Sequence, residues 1–140
     1  MIAYFDTSAI VPLLIDEAGT EAAGDAWDQA LRVVSVRLAR VETRAGLAQA
    51  ARVGRISAAH LRASVRELDG LLAQLEFVDV DDDLVRRAGD LAESHALRAY
   101  DAVHLAAAVR VASEDLVVVA GDCALLTAAR SVGLAVAAVG

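Results

Sequence analysis

Lysine is absent from this sequence of 140 residues, and all 13 basic residues are arginine. That absence excludes P-loop nucleotide hydrolases, pyridoxal-dependent enzymes and protein kinases, because each needs a lysine at its phosphate or cofactor. The sequence also contains neither a G-x-S-x-G nucleophile elbow nor a G-x-G-x-x-G dinucleotide fingerprint. The 20 acidic residues are therefore the main reactive groups that the chain offers.

Cysteine and long apolar runs are scarce as well. The one cysteine, Cys123, excludes an internal disulfide and a Cys-based zinc site, and the three histidines form no His-x-x-x-His pair. No apolar run reaches the ~18 residues of a membrane span, and no basic stretch marks a signal peptide. With 57% hydrophobic residues the chain can bury a full core. We therefore expect a single cytoplasmic domain over residues 1–140, without membrane association.

The charges are strongly segregated along the chain. The formal net charge is −7, yet residues 32–66 carry eight arginines and a single acid, Glu42. Arg37, Arg40 and Arg44 lie together on the side of a predicted helix opposite Glu42. Such a block either binds phosphate groups or forms the solvated faces of two helices. The lone acid inside the block favours the phosphate-binding interpretation.

Apolar segments alternate with helical patterns along the whole chain. The predicted strands are Ile2–Phe5, Val33–Val36, Phe77–Val80, Leu116–Ala120 and Leu134–Val139. The predicted helices are Ala9–Asp16 with Ser8 as its cap and Pro12 in its first turn, Thr20–Leu31, Arg37–Val53, Ser57–Leu75, one that begins at Asp81–Asp83, Tyr100–Ala112, and Asp122–Val132. This alternation predicts a three-layer α/β/α fold around a mostly parallel, five-stranded central sheet.

Two acids follow predicted strands directly. Asp6 comes after the first strand, and Asp122 comes after the fourth strand and one glycine. Ligands of open α/β sheets bind beyond the carboxyl ends of the strands, where both acids lie. Asp122 is suited both to cap a helix and to form part of a site. A cap is a weaker explanation for Asp6, because Ser8 beside it already supplies a capping hydroxyl.

Two further acids lie on predicted helices. Glu42 turns towards an apolar stripe and needs a partner there, which is either a site or an arginine from elsewhere in the fold. Asp101 opens the most apolar helix, where the helix dipole is the alternative reason for its position. His104, three residues later, is predicted to be a core histidine or a support for the site.

A convergence of these four acids has an electrostatic consequence. Two like charges about 4 Å apart repel by about 4 kcal/mol at an effective dielectric constant near 20. Such a cluster therefore needs a proton or a bound cation. Ligands made only of oxygen indicate Mg²⁺, with Mn²⁺ as a substitute. A carboxylate-held cation beside a basic surface suits phosphodiester hydrolysis.

Four segments in order carry a family resemblance: Tyr4–Ala9, Arg40–Arg44, Tyr100–Ala106 and Val119–Asp122. The first and third are specific phrases, and the order and spacing of all four add to them. Over essentially its whole length the chain resembles PIN-domain ribonucleases, specifically the VapC-type toxins of bacterial type II toxin–antitoxin pairs. The resemblance implies a Mg²⁺-dependent endoribonuclease that hydrolyses RNA with a metal-activated water.

The resemblance also implies roles for individual residues. Asp6, Glu42, Asp101 and Asp122 would form an acidic metal pocket, with Asp6 and Asp101 as direct ligands and the other two binding directly or through water. Ser8 matches a polar position that orients water or phosphate. The chain departs from the family at position 120, where Ala120 replaces the hydroxyl residue often found two positions before the fourth acid.

The implied partners are an RNA substrate, a cognate VapB-like antitoxin and a second copy of the chain in a homodimer. Arg37, Arg40 and Arg44 are the candidate RNA contacts. The alternative function is a non-catalytic PIN module that binds RNA or a partner protein. Receiver domains and haloacid-dehalogenase-type phosphatases fit poorly, because both need a lysine and the phosphatases need an acid where Ser8 stands.

Overall fold

The computed structural model describes residues 1–140. Its strands are β1 Ile2–Phe5, β2 Arg32–Val36, β3 Glu76–Val78, β4 Leu116–Ala120 and β5 Ala135–Ala138. They form one sheet in the order β3-β2-β1-β4-β5, and every pair is parallel. The predicted three-layer fold with a five-stranded sheet is confirmed, and the sheet is parallel throughout rather than mostly so.

Seven helices connect these strands. They are α1 Thr7–Leu14, α2 Thr20–Gln29, α3 Ala39–Arg52, α4 Ala58–Leu72, α5 Asp82–His95, α6 Ala99–Arg110 and α7 Cys123–Ser131. Ser57 caps α4 as predicted, through a hydrogen bond from the backbone N–H of His60. The third strand was predicted to end at Val80 but ends at Val78. None of the helices combines the length and apolar character that crossing a membrane requires.

The start of α1 differs from the prediction. The helix begins at Thr7 rather than Ala9, and its cap is Asp6, whose carboxylate accepts from the backbone N–H of Ser8. Asp and Ser are comparable caps, and here Asp6 comes first after the strand. Pro12 consequently lies inside the helix rather than in its first turn, where it lacks the N–H that would bond the Ser8 carbonyl.

The sheet buries a separate core on each face. In β1, Ala3 and Phe5 pack with α1–α4, whereas Tyr4 between them packs with α5–α7. This follows from the two-residue period of a strand, which sends successive side chains to opposite faces. Both faces of the sheet are therefore covered, as expected for apolar parallel strands.

The neighbouring strands β1 and β4 lead into opposite layers. The chain leaving β1 enters α1 on one face of the sheet, and the chain leaving β4 enters α7 on the other face. Connections that diverge in this way open a crevice beyond the carboxyl ends of the two strands. Asp6 and Asp122 lie at that crevice, one at each strand exit.

Candidate active site

Asp6 is fixed at the exit of β1 and is only 4% exposed. The backbone N–H and the hydroxyl of Ser8 both donate to its Oδ2. Its other oxygen, Oδ1, lies 3.3 Å from Nε2 of His104. The cap that starts α1 thus orients the carboxylate, so Asp6 serves local structure and faces the crevice at once.

Ser8 joins the exits of β1 and β4. Its hydroxyl accepts from the backbone N–H of Gly121 at 2.8 Å while donating to Asp6. A Cβ at Gly121 would lie 2.9 Å from the carbonyl oxygen of Val139, so only glycine fits this loop. Ser8 therefore supplies a hydroxyl at the exit of β4, where the side chain of Ala120 has no hydroxyl.

Glu42 reaches the same crevice from α3 in the opposite layer to α6. Its Oε1 lies 2.7 Å from Nε2 of His104 and accepts from the Thr7 hydroxyl at 3.2 Å. A carboxylate only accepts, so Nε2 of His104 carries a proton and donates. The inward partner of Glu42 is thus a histidine, and the alternative of an arginine partner is wrong.

His104 is 1% exposed and makes contacts on both sides of its ring. Its Nδ1 lies 2.9 Å from the hydroxyl of Tyr4. Burial lowers the pKa of His104, but the hydrogen bond to Glu42 and the charges of Asp6 and Asp101 outweigh it and raise the pKa overall. The imidazole therefore stands between two of the four predicted acids, Asp6 and Glu42.

Arg98 joins the other two acids. Its Nε lies 3.1 Å from Oδ2 of Asp101, in the first turn of α6, and its Nη2 lies 3.3 Å from Oδ2 of Asp122. Asp122 also caps α7, because its Oδ1 accepts from the N–H of Leu125 at 2.9 Å. The helix-cap interpretation of Asp122 is therefore confirmed, and its membership of a metal site stays a prediction.

Asp101 has a raised pKa, and the neighbouring acids contribute to the shift. Burial raises the pKa of Asp101, the hydrogen bond from Arg98 opposes that effect, and the charges of Asp122 and Asp6 raise the pKa further. The pKa is raised overall, even with an arginine attached. The structure thus brings Asp6, Asp101 and Asp122 within electrostatic reach of one another, and Glu42 joins them through His104.

The cluster suits a hard divalent cation by its donor type and its charge. No three His, Cys, Asp or Glu side chains are already arranged around one point as metal ligands. Arg98 and His104 instead satisfy the carboxylates in pairs. Carboxylate oxygens are nevertheless the ligands that Mg²⁺ and Mn²⁺ prefer, and mutual repulsion among them favours a cation.

A row of cavities leads from the basic helix α3 to the acids. A groove of about 480 Å³ contains Arg40 and Arg44 and is otherwise apolar. It shares Val41 with a second cavity that reaches Glu42 and Tyr100, and these two residues also line a third cavity beside Asp101. Tyr100 is 56% exposed along this row. The arginines and the acids are thus connected by one surface.

The three candidate RNA-binding arginines differ in their surroundings. Nε of Arg37 lies 2.6 Å from Oδ1 of Asp79, and its guanidinium stacks over the Phe77 ring outside the groove. Arg40 pairs with Asp69 at 2.9 Å. Arg44 is exposed on the groove and belongs to no ion pair. Two of the three charges are therefore partly neutralised by acids that the sequence places far away.

Two contacts of the site were missed at the level of sequence, those of Arg98 and Thr7. Arg98 precedes Asp101 by three residues, a spacing at which side chains on a helix meet, and this signal was available. Thr7 directly follows Asp6, but its bond to Glu42 spans 35 residues and had no local signal.

Comparison with known proteins gives a consistent family. The sequence profile of the PIN domain family matches residues 3–130. The chain is 40% identical over 136 residues to Ribonuclease VapC45 and Ribonuclease VapC49, from two strains of Mycobacterium tuberculosis, CDC 1551 / Oshkosh and H37Rv. The alignment to each covers 97% of this chain and 94% of the relative.

Solved structures share the fold at lower identity. PAE2754 from Pyrobaculum aerophilum superposes with a TM-score of 0.71 at 23% identity, over 97% of this chain and 83% of that one. VapC20 from Mycobacterium tuberculosis, described as a Sarcin-Ricin loop cleaving toxin, gives 0.69 at 19%, over 90% and 94%. A toxin–antitoxin complex from Klebsiella pneumoniae contains a chain with a TM-score of 0.63 at 18%, over 86% of both chains.

Proposed function

The chain belongs to the PIN-domain family and, within it, to the VapC group, and on that premise we propose that it is a Mg²⁺-dependent endoribonuclease that acts as the toxin of a type II toxin–antitoxin pair. It would act in the cytoplasm as a single PIN domain over residues 1–140. The names of its 40% identical relatives support a ribonuclease. The substrate, the metal and the partners are part of this proposal.

One observation carries the proposal: carboxylates from four places in the sequence meet at the crevice between β1 and β4, although they repel one another. Asp6 and Asp101 would bind Mg²⁺ directly, and Glu42 and Asp122 would bind it directly or through water. A fold that needed only helix caps here would not require Glu42 to enter the crevice from α3. A divalent cation bound there would lower the pKa of its bound water and would stabilise the negative charge that develops on the phosphate.

The protein's own residues orient the acids. The cap of α1 holds Asp6 in place, with Ser8 bonded to both Asp6 and the β4 exit, so that Ser8 lies beside any water or phosphate at Asp6. His104 restrains Glu42 and Asp6 from the buried side. This shell fixes the side chains before RNA arrives, and such preorganisation favours catalysis.

RNA would approach along the row of cavities on α3. Arg40 and Arg44 at its far end would contact phosphates, and Arg37, outside the groove, is the third proposed contact. Tyr100 offers an exposed ring beside Glu42 on which a base can stack. The strand would then meet the acids at Asp101.

The proposed protein partners are an antitoxin and a second copy of the chain. The fold similarity to a chain of a toxin–antitoxin complex supports an antitoxin partner. The net charge of −7 favours an antitoxin segment that is basic. Light scattering of the purified chain at two concentrations tests the homodimer.

Cleavage of total cellular RNA by the purified chain tests the proposal. The reaction is run with Mg²⁺, with chelator, and with the variants Asp101→Asn and Asp25→Asn. Asp25 is exposed on α2 and has no side-chain partner, so its variant matches the change in charge away from the crevice. We expect discrete fragments that require Mg²⁺, that Asp25→Asn still produces and that Asp101→Asn does not.

The outcomes separate the proposal from its alternative. Equal cleavage with and without chelator would contradict the metal site, and equal cleavage by both variants would contradict the place of Asp101 in it. Absence of cleavage together with absence of Mg²⁺ binding in calorimetry would favour the non-catalytic module that binds RNA or a partner protein.

A further inference from the structure

Arg98 lies between two of the carboxylates that the proposed function uses. Its Nε and Nη2 lie 3.1 and 3.3 Å from the Oδ2 atoms of Asp101 and Asp122. Its side chain is nevertheless 82% exposed. The guanidinium is therefore held by two charged hydrogen bonds and by little packing.

A second arginine bridge in the same protein shows what is unusual here. Arg110 on α6 contacts Asp81 and Asp83 at 2.9 and 3.3 Å, and its side chain is only 28% exposed. The two acids of that bridge are 55% and 65% exposed. The Arg110 bridge thus consists of an arginine that is less exposed than its two acids, of which Asp81 also caps α5 and Asp83 also pairs with Arg87.

The Arg98 bridge has the reverse arrangement. Asp101 and Asp122 are 14% and 24% exposed, and Asp122 is restrained further by its capping bond to Leu125. Burial restrains both acids, and the capping bond restrains Asp122, independently of the arginine. An exchangeable cation needs this combination of fixed anions and a free cationic side chain.

The same oxygens would bind a divalent cation. A metal and a guanidinium that take the same carboxylate oxygens compete, so each weakens the binding of the other by mass action. Once released, Arg98 remains beside the cavity that it lines with Tyr100 and Asp101, on the proposed path of RNA. A guanidinium matches the geometry of a phosphate group with two hydrogen bonds.

We propose that Arg98 is an exchangeable cation: it holds Asp101 and Asp122 in the metal-free protein, and divalent metal releases it to bind an RNA phosphate. This inference rests on the proposed function, because it requires both the metal and the RNA. It makes metal binding and RNA binding mutually supportive through one side chain.

Isothermal calorimetry with Mg²⁺ tests the first half of the exchange. We compare the wild type with Arg98→Gln and with Arg110→Gln, which removes the same charge from the other bridge. Loss of two exposed ion pairs predicts a Kd for Mg²⁺ about three- to tenfold lower in Arg98→Gln. The Kd of Arg110→Gln stays within about twofold of the wild type, because Arg110 lies at the opposite end of α6 from Asp101 and its charge is screened over that distance.

RNA binding without cleavage tests the second half. Both arginine variants keep all four proposed metal ligands, and fluorescence anisotropy follows a labelled single-stranded RNA whose phosphorothioate linkages resist cleavage. We expect Mg²⁺ to increase RNA affinity by a factor about threefold larger when Arg98 is present than in Arg98→Gln, since one phosphate contact is added. In chelator, Arg98→Gln binds RNA no more weakly than its parent.

Each outcome has a distinct meaning. Unchanged Mg²⁺ affinity in Arg98→Gln, or an equal gain in RNA affinity with and without Arg98, would make the bridge a static ion pair and overturn the inference. A wild type that binds no Mg²⁺ in calorimetry would instead contradict the proposed function itself. Circular dichroism of each variant verifies that the comparison is made between folded proteins.

Discussion

Nε2 of His104 lies 2.7 Å from Oε1 of Glu42, although the two residues are 62 positions apart and belong to helices on opposite faces of the sheet. The contact is made beyond the carboxyl end of β1, next to Asp6. It links α6 to α3 beyond the carboxyl edge of the sheet, where the sheet no longer lies between the two helices. The candidate site is therefore also a place where the two helical layers contact each other directly.

Loss of the buried imidazole is expected to destabilise the protein. His104→Ala removes the partner of the Tyr4 hydroxyl. It also removes one contact each from Asp6 and Glu42, although Ser8 and Thr7 still donate to them. A buried polar group left without a partner costs about 1–3 kcal/mol. His60→Ala is the control, because His60 is exposed and should change stability by less than about 0.5 kcal/mol. Urea unfolding measures both. Similar losses of stability in the two variants would show that the His104 contacts do not stabilise the fold.

Asp6 combines a cap with a proposed metal ligand, and two substitutions separate these roles. Asn is as good a cap as Asp, so Asp6→Asn should keep α1 while RNA cleavage falls by more than about 100-fold, since a direct ligand matters more than its supporting contacts. Asp6→Ala should lose cleavage and about 1 kcal/mol of cap stability besides. Cleavage by Asp6→Asn at the wild-type rate would disprove its assignment as a ligand.

The exposed ring of Tyr100 is expected to bind a base. Tyr100→Ala should weaken the binding of single-stranded RNA roughly tenfold, whereas Tyr100→Phe keeps the ring and should bind within about twofold of the wild type. Anisotropy with a cleavage-resistant phosphorothioate RNA gives both affinities. If the Phe variant is as weak as the Ala variant, the hydroxyl rather than stacking makes the contact.

The arginines of the groove are expected to contact phosphates. Replacing Arg40 and Arg44 together with Ala should lower the slope of log affinity against log salt by about 1.4, or about 0.7 for each phosphate lost on a single strand. Arg86 and Arg87 on α5, in the other layer, provide the matched double variant. An identical slope in the wild type and the Arg40/Arg44 variant would show that these arginines form a solvated helix face and do not contact phosphates.

Acid should weaken the link between α5 and α6. The hydrogen bond from Arg110, together with the capping bond to Leu84, lowers the pKa of Asp81 from 3.8 to about 2. A carboxyl whose pKa is depressed by folding stabilises the protein above its unfolded pKa and loses that effect as pH falls through the folded value. Arg110→Gln should therefore be less stable than the wild type near neutral pH, and the difference should shrink as pH falls from 3.8 towards 2. A difference that stays constant over that range in urea unfolding would contradict the ion pair.

Local sequence patterns were enough to predict the fold class and the position of two of the acids. Strand and helix periods are local, so Ile2–Phe5 and Leu116–Ala120 were predicted with their observed bounds. Parallel strands share one carboxyl edge, which places Asp6 and Asp122 there once the alternation of elements is known. Competing local caps were harder to rank, and Ser8 was chosen where Asp6 acts.

Which charges neutralise one another depends on how the helices and strands pack. Arg37 and Arg40 form part of a basic block in the sequence, yet packing gives each an acid from another element, Asp79 and Asp69. The contact between His104 and Glu42 depends in the same way on how α6 and α3 pack at the edge of the sheet. Periodicity specifies which face a side chain takes, but a pair distance of about 3 Å depends on how whole elements pack, and no short segment of sequence contains that information.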